Sequence, residues 1–205
     1  METGWGEGLL INGLHGLPGE AGWTTLEPGD RLDSLLPKDF ETGAVSPEAV
    51  KTYLNSMMAM VGRTPAPLAI LCFAVDNVPS LQQLEKTHQA LIGRVLARCL
   101  RLETRCYDVV ARLDKETVHG ISGFLVVCPL TDEKKAAALA ERLCEQVTSV
   151  LADMGWPWLT LSVGVSGLSL EVSDAENFVA RAVSALYHAQ RSGGRRIWRH
   201  SMLTA

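Results

Sequence analysis

The chain has 205 residues, of which 47% are hydrophobic and 20% charged, and its formal net charge is −4. This apolar fraction is enough to build the core of an ordinary domain, so wholesale disorder is excluded. Asp and Glu (23) outnumber Lys and Arg (19), which argues against a nucleic-acid polymer as partner, because proteins that coat nucleic acids carry an excess of positive charge.

The sequence also predicts a cytoplasmic location with no membrane span. Its longest apolar run, residues 66–75, is about half the roughly 20 residues that a span needs, and its first residues lack the basic start of a secretory signal. The five cysteines are scattered and odd in number, which is typical of reduced thiols rather than of a disulfide framework. No CxxC or HExxH motif is present, so no metal site and no cofactor are predicted.

Residues 1–45 differ in composition from the rest of the chain. Eight of the 18 glycines precede residue 30, and no helical or strand period is visible. We therefore predict a glycine-rich, mostly irregular N-terminal arm. Trp5, Trp23 and the apolar patch 9–11 could dock on the chain's own domain or on a partner, and the sequence leaves both open.

A regular pattern of elements follows the arm. Ser46 and Pro47 mark the start of a lead-in helix within residues 46–65. Strands are then predicted at 68–75, 109–113, 124–128, 159–165 and 196–198. Helices are predicted at 81–102, after a cap at Thr131 and after a capping box formed by Ser173 and Glu176. This order predicts an α/β (α+β) domain over residues 66–205, with a ferredoxin-like core and a mixed, mainly antiparallel five-stranded sheet.

Local motifs support a family resemblance for this region. Residues 161–165 read LSVGV, residues 185–190 read ALYHAQ, and residues 193–196 read GGRR. In this order they resemble the SIGVA strand, the ALYxAK helix and the GxNR ending of the GGDEF domain, the fold of bacterial diguanylate cyclases. The resemblance covers about two thirds of the chain. It implies an enzyme fold that joins two GTP molecules into cyclic di-GMP with the help of Mg²⁺.

The catalytic parts of that family do not match this sequence. Ala74 stands where the family has a metal-binding Asp, although Asp76 matches the second carboxylate of the pair. The connection 114–123 replaces the signature Gly-Gly turn. Asp114 and Glu116 could substitute for the signature carboxylates, but Ala74 has no oxygen with which to complete a metal site. The sequence therefore predicts a degenerate domain that is not an enzyme.

The family's inhibitory nucleotide site, by contrast, is matched in three separate segments. Residues 105–108 read RCYD and fit its RxxD motif, in the family's spacing ahead of Arg112, and Arg142 follows in an AER context on a later helix. The resemblance implies that Arg105, Asp108 and Arg142 bind cyclic di-GMP. Arg101 is added to this predicted site because it belongs to a stripe of arginines that could attract a dianion.

The chemistry of these side chains suits a guanine base. A planar guanidinium matches the O6 and N7 acceptors, and a carboxylate accepts from the N1 and N2 donors. The ordinary alternatives are that Arg105 and Asp108 pair only with each other, and that the arginine stripe is a solvated helix face.

These observations favour a non-catalytic cyclic di-GMP receptor that regulates an unidentified protein partner. The alternative is a ligand-free scaffold in which the fold survives only for protein–protein contacts, and a third hypothesis is an active cyclase. A homodimer is left open.

Overall fold

The computed structural model describes residues 30–63, 66–76, 78–113 and 123–203. The expectations for Trp5, Trp23 and the patch 9–11 lie outside these ranges, as do Asp114 and Glu116. Within the described ranges, no helix combines the length and apolar character needed to cross a membrane.

Five helices and five strands follow one another in the described chain. The helices are α1 (Pro47–Val61), α2 (Val78–Gln82), α3 (Lys86–Glu103), α4 (Glu133–Asp153) and α5 (Ala175–Arg191). The strands are β1 (Leu68–Val75), β2 (Val109–Arg112), β3 (Gly123–Pro129), β4 (Leu161–Gly167) and β5 (Ile197–Arg199). Short 3-10 helices lie at Leu32–Leu35 and His200–Met202.

The strands form one sheet in the order β2-β3-β1-β4-β5. β1 is antiparallel to both β3 and β4, β2 is antiparallel to β3, and β5 joins the sheet parallel to β4. The prediction of a mixed, mainly antiparallel five-stranded sheet with packed helices is therefore confirmed.

The continuous apolar run of β1 reflects burial on both faces of the sheet. Leu71 and Phe73 join the core formed with α3 and α4, whereas Ile70 and Cys72 join the core formed with α1 and α5. Because alternate residues of a strand point to opposite faces, a central strand covered on both sides needs apolar residues at every position.

Residues 30–45 lie against this sheet. Val45 bridges the edge strand β2 next to Ala111, with its backbone N–H donating to the Val110 carbonyl over 2.9 Å. Val45 is fully buried, and its neighbour Ala44 is too. This part of the predicted arm is thus docked on the chain's own domain, irregular apart from one 3-10 turn.

Several element boundaries differ from the sequence prediction. Strand β2 ends at Arg112 rather than at 113, β4 covers Leu161–Gly167 rather than 159–165, and β5 covers Ile197–Arg199 rather than 196–198. The caps of α4 and α5 are Asp132 and Asp174, each one residue after the expected Thr131 and Ser173, and each accepts a backbone N–H over 2.8 Å. The helix predicted at 81–102 is divided into α2 and α3. The Gln89 side chain donates to the Leu84 carbonyl over 2.8 Å at this break, which satisfies an acceptor that a continuous helix would have paired.

Candidate functional site

The RxxD segment forms a tight turn between α3 and β2. The Asp108 N–H donates to the Arg105 carbonyl over 3.0 Å, and the Arg105 N–H donates to Oδ2 of Asp108 over 2.9 Å. These reciprocal bonds explain why a carboxylate fits three residues after Arg105: both the backbone and the side chain of Asp108 bond to the backbone of Arg105. Asp108 is consequently almost fully buried, with 1% of its surface exposed.

This turn lies beside α4, and the two together line a cavity of about 260 Å³. Arg105 and Asp108 line it from the turn and Arg142 from the helix, so three of the four predicted site residues are brought together. The other lining residues are Thr131, Lys135, Ala138 and Leu139. Three cationic side chains, of which Lys135 is also paired with Asp132 over 3.2 Å, thus line the same cavity as one buried carboxylate.

Asp108 is the most unusual group in this cavity. Its Oδ1 is buried and has no hydrogen-bond partner among the described residues. Burial raises the pKa of Asp108 above its ordinary value, although the Arg105 N–H and the charges of Arg105 and Arg31 act in the opposite direction. A buried carboxylate oxygen without a donor is costly for folding, and the described residues leave this acceptor unused.

The two cavity arginines are oriented mainly by uncharged acceptors, and Arg142 also forms a long ion pair with Glu103. Nη1 of Arg105 donates to the Tyr107 hydroxyl over 2.9 Å, and its guanidinium carbon lies 5.7 Å from the centre of that ring. Nη2 of Arg142 donates to the Glu103 carbonyl over 2.9 Å, while Nη1 is 4.0 Å from the Glu103 carboxylate. A guanidinium has five N–H donors, so each side chain keeps donors for a bound molecule.

Arg101, the fourth predicted residue, is not part of this group. Its Nε and Nη2 donate to the two carboxylate oxygens of Asp33 over 2.8 and 3.1 Å. Asp33 has no exposed surface, so Arg101 is held against a buried partner from the segment before α1. The arginine spacing on α3 carried no information about this partner.

Arg31 is a site residue that the sequence analysis missed. Its guanidinium donates to the carbonyls of Arg101 and Thr104 over 2.6 and 2.9 Å, and to the Asp108 carbonyl over 3.1 Å. It therefore caps the C-terminal end of α3 and holds the following turn. The adjacent Leu32 N–H donates to the Cys106 carbonyl over 2.7 Å. The only signal in the sequence was a basic residue in a segment without periodicity.

The region that matches the family's metal site contains Asp76, whose carboxylate is already bound by protein donors. Oδ2 of Asp76 accepts from the Thr160 hydroxyl over 2.7 Å and from the Arg195 N–H over 2.8 Å, and Ala74 is buried with no oxygen to offer. Among the residues that the structure describes, no three His, Cys, Asp or Glu side chains are grouped to hold a metal ion. The described residues alone therefore do not assemble a Mg²⁺ site.

The fold and its sequence relatives identify the class of domain. The chain has the fold of a GGDEF domain, as the motifs in β4 and α5 predicted. It superposes on the GGDEF domain of DgcB from Caulobacter crescentus, solved in complex with cyclic di-GMP, with a TM-score of 0.70, 16% identity and coverage of 80% of this chain and 95% of that one. It also superposes on diguanylate cyclase SiaD from Pseudomonas aeruginosa, solved with its activator SiaC, with a TM-score of 0.70, 23% identity and coverage of 79% and 61%.

One curated protein is similar to this chain in sequence as well. Diguanylate cyclase A of Treponema denticola is 28% identical over 142 residues, which is 66% of this chain and 36% of that protein. The chain thus spans about a third of the length of the relative it matches. No protein-family model matches the chain.

This relative overturns one expectation. Ala74 and the replaced signature turn predicted that the chain is not an enzyme, whereas the sequence relative is named a diguanylate cyclase. The prediction that the chain is not an enzyme was therefore wrong. It rested on Ala74 and on the connection after Leu113, of which residues 114–122 lie outside the described residues.

Proposed function

We propose that the chain binds cyclic di-GMP in the cavity between the RxxD turn and α4, and that this binding regulates a protein partner. One observation carries the proposal: Arg105, Asp108 and Arg142 come from segments that are separate in sequence and line the same cavity. Arg101 is left out of the proposed site because it does not line this cavity and its Nε and Nη2 are bound to Asp33.

Each side chain has a role in the proposed complex. Asp108 accepts hydrogen bonds from N1–H and N2–H of one guanine through its ionised carboxylate, whose Oδ1 has no partner among the described residues. Arg105 donates to O6 and N7 of the same base, and Arg142 donates to a phosphate oxygen. Each bidentate contact contributes roughly 1–3 kcal/mol to discrimination between bases.

The cavity is smaller than the whole ligand. Its volume of about 260 Å³ is below the roughly 300–1,000 Å³ of pockets that enclose drug-sized molecules. We infer that it takes one guanine and the adjoining phosphate, while the second half of the dinucleotide remains at the surface. Lys135, which also lines the cavity, adds positive charge for the phosphates.

A regulatory role is supported by the contacts of the turn. Because Arg31 and Leu32 bond to its backbone, a ligand that fixes the turn also acts on the segment before α1. A related fold, that of SiaD, is known in complex with a protein activator. The alternative is a scaffold that binds its partner without any nucleotide.

The test is a calorimetric titration of the chain with cyclic di-GMP, with GTP and GMP as controls. Saturable binding of cyclic di-GMP is expected, with a loss of affinity of about tenfold or more in Arg105→Ala or Asp108→Asn. Arg63→Ala is the matched control, because Arg63 is exposed and lies outside the cavity. No heat with the wild-type chain at high ligand concentration would refute the proposal and favour the scaffold.

Synthesis of cyclic di-GMP is a second candidate function, favoured by the relative named diguanylate cyclase A. Incubation with GTP and Mg²⁺, followed by chromatography of the products, tests it. Asp76→Ala is the informative variant, since Asp76 is the carboxylate that matches the family's pair. A dinucleotide product that disappears in this variant supports the candidate, and no product from the wild-type chain contradicts it.

A further inference from the structure

A second cavity, separate from the proposed nucleotide site, lies between α3 and the segment 30–45. Its volume is about 450 Å³. Four of its lining residues are arginines, and the others are Thr42, Ala97 and Leu102. We call it the arginine cavity and define it by Arg31, Arg94, Arg98 and Arg101. It shares none of its lining residues with the cavity of Arg105, Asp108 and Arg142.

The charges around the arginine cavity do not balance. Among the described residues, Asp33 is the carboxylate bonded to this group. It forms ion pairs with Nε of Arg101 at 2.8 Å and with Nε of Arg31 at 3.3 Å. Nζ of Lys38 lies 3.8 Å from the same carboxylate. Desolvation is the largest cause of the lowered pKa of Lys38; the charge of Asp33 acts in the opposite direction, and the charges of Arg101 and Arg31 lower the pKa further. One buried carboxylate therefore faces several cations in a chain whose net charge is −4.

Arg94 and Arg98 carry the uncompensated part of this charge. Both are exposed, and neither makes a hydrogen bond or ion pair with another residue in the described ranges. They stand four positions apart on α3, and side chains with this spacing are neighbours on a helix surface, about 5–6 Å apart at Cβ. Two guanidinium groups side by side can contact successive phosphates of one chain, each through two N–H donors.

We propose that the arginine cavity binds the polyphosphate group of a small anion. Arg94 and Arg98 bind the phosphates directly, while Arg101, fixed by the buried Asp33, supplies a rigid positive wall. Ala97 and Leu102 form an apolar part of the lining. The volume lies within the range of pockets for small ligands, so a nucleoside attached to the polyphosphate also fits.

The experiment is a calorimetric titration of the full chain with inorganic tripolyphosphate. We expect saturable binding that weakens as salt is added, since the contacts are between charges. The double variant Arg94→Ala/Arg98→Ala is expected to lose affinity by about tenfold or more. It should fold normally, because both side chains are exposed on a helix and alanine favours helices. Its thermal unfolding midpoint checks this.

The matched control is Arg63→Ala/Arg191→Ala, which removes the same charge from exposed positions outside the cavity. Its affinity is expected to stay within about twofold of wild type, because screened charges at a distance contribute little. Equal losses in both double variants would show general attraction rather than a site, and would overturn the proposal. So would an absence of saturable heat with the wild-type chain.

Two further arms make the result specific. A nucleoside triphosphate that competes with tripolyphosphate and binds more tightly supports the site and adds a contact from the nucleoside; equal affinity supports a site for polyphosphate alone. Arg105→Ala is expected to keep tripolyphosphate binding while losing cyclic di-GMP. Failure of this proposal and failure of the proposed nucleotide site are thereby distinguished, because each site has its own ligand and its own variants.

Discussion

The guanidinium of Arg31 donates a hydrogen bond to the backbone carbonyl of Asp108 over 3.1 Å, although 77 positions separate them in sequence. The same guanidinium contacts the carbonyls that end α3. The shape of the RxxD turn thus depends on a residue that precedes the whole sheet. Arg31 and Leu32 therefore help to hold the turn of the proposed nucleotide site, although neither residue lines its cavity.

Arg31→Ala is expected to weaken cyclic di-GMP binding and to lower the free energy of unfolding by about 1–3 kcal/mol. The carbonyls of Arg101, Thr104 and Asp108 would each lose a donor, and buried acceptors without partners are costly. Urea unfolding and a ligand titration measure the two effects. Arg31→Lys is the informative companion, because one ammonium group cannot replace the planar fork. Unchanged affinity in both variants would contradict the positioning role.

Asp33→Asn is expected to lower the free energy of unfolding by about 3 kcal/mol. Asp33 is fully buried and bonds to Arg101 and Arg31, so its neutralisation leaves partly buried guanidinium groups without their counter-charge. Glu171→Gln is the control: Glu171 meets Arg181 at the same N–O distance of 2.8 Å, but its side chain is 79% exposed.

For this exposed pair we expect a change below about 0.5 kcal/mol, because solvent screens it and two long side chains lose freedom. Chemical unfolding of both variants under one set of conditions gives the comparison. Equal effects of the two substitutions would mean that burial of Asp33 adds nothing to the strength of its ion pairs.

The affinity for cyclic di-GMP is expected to fall as the pH is lowered, starting at a higher pH than an ordinary aspartate would give. Burial raises the pKa of Asp108 above its usual 3.8, and the protonated carboxyl cannot accept two donors from guanine. Arg105 and Arg31 act on this group from the turn and the preceding segment, and Tyr53 lies close enough to feel its charge. Titrations from neutral pH downwards measure the profile.

The raised pKa of Asp108 also determines how the free energy of unfolding changes with pH. The native chain holds this proton more tightly than the unfolded chain, so Asp108 lowers the free energy of unfolding as the pH rises from about 3.8 to its raised native pKa. Above that pKa its contribution is constant. Asp108→Asn should remove this contribution to the pH dependence of ligand affinity and of the free energy of unfolding. A pH profile of binding that is identical in this variant would exclude Asp108 as the titrating group.

Gly164→Ala is expected to destabilise the fold strongly, by about 3 kcal/mol or more. A Cβ at this position in β4 would lie 1.9 Å from the Ala182 carbonyl oxygen and 2.3 Å from the Leu186 nitrogen, so β4 and α5 would have to separate. Gly62→Ala is the control, since its nearest neighbour would be 3.4 Å away and its φ is −60°. Thermal unfolding of the two variants tests whether close packing requires this glycine.

The sequence predicted the sheet because apolar periodicity determines which residues enter the core. The grouping of Arg105 and Asp108 with Arg142 on a later helix came from the family resemblance alone. The exact capping residue was harder to predict where two candidates are adjacent. Asp132 and Asp174 are the caps, rather than Thr131 and Ser173. A carboxylate is the stronger acceptor at a helix N-terminus.

The partner of Arg101 could not be predicted in the same way. Asp33 lies 68 positions away in a segment without periodicity, and burial of a charge there depends on tertiary packing. Arginines at regular helical spacing look alike in sequence, yet Arg101 is bound to a buried carboxylate while Arg94 and Arg98 face solvent. Such differences arise from which chain segment covers which part of the helix.

The bridge between Val45 and β2 has a consequence for shortened versions of the chain. β2 is an outer strand of the sheet, and Val45 occupies its free side, accepting from the Arg112 N–H over 2.8 Å and donating to the Val110 carbonyl. A chain cut to begin at residue 46 would expose these peptide groups to solvent and to other molecules. Unprotected outer strands pair with one another, so the shortened protein should self-associate and precipitate more readily than a chain that retains residues 30–45.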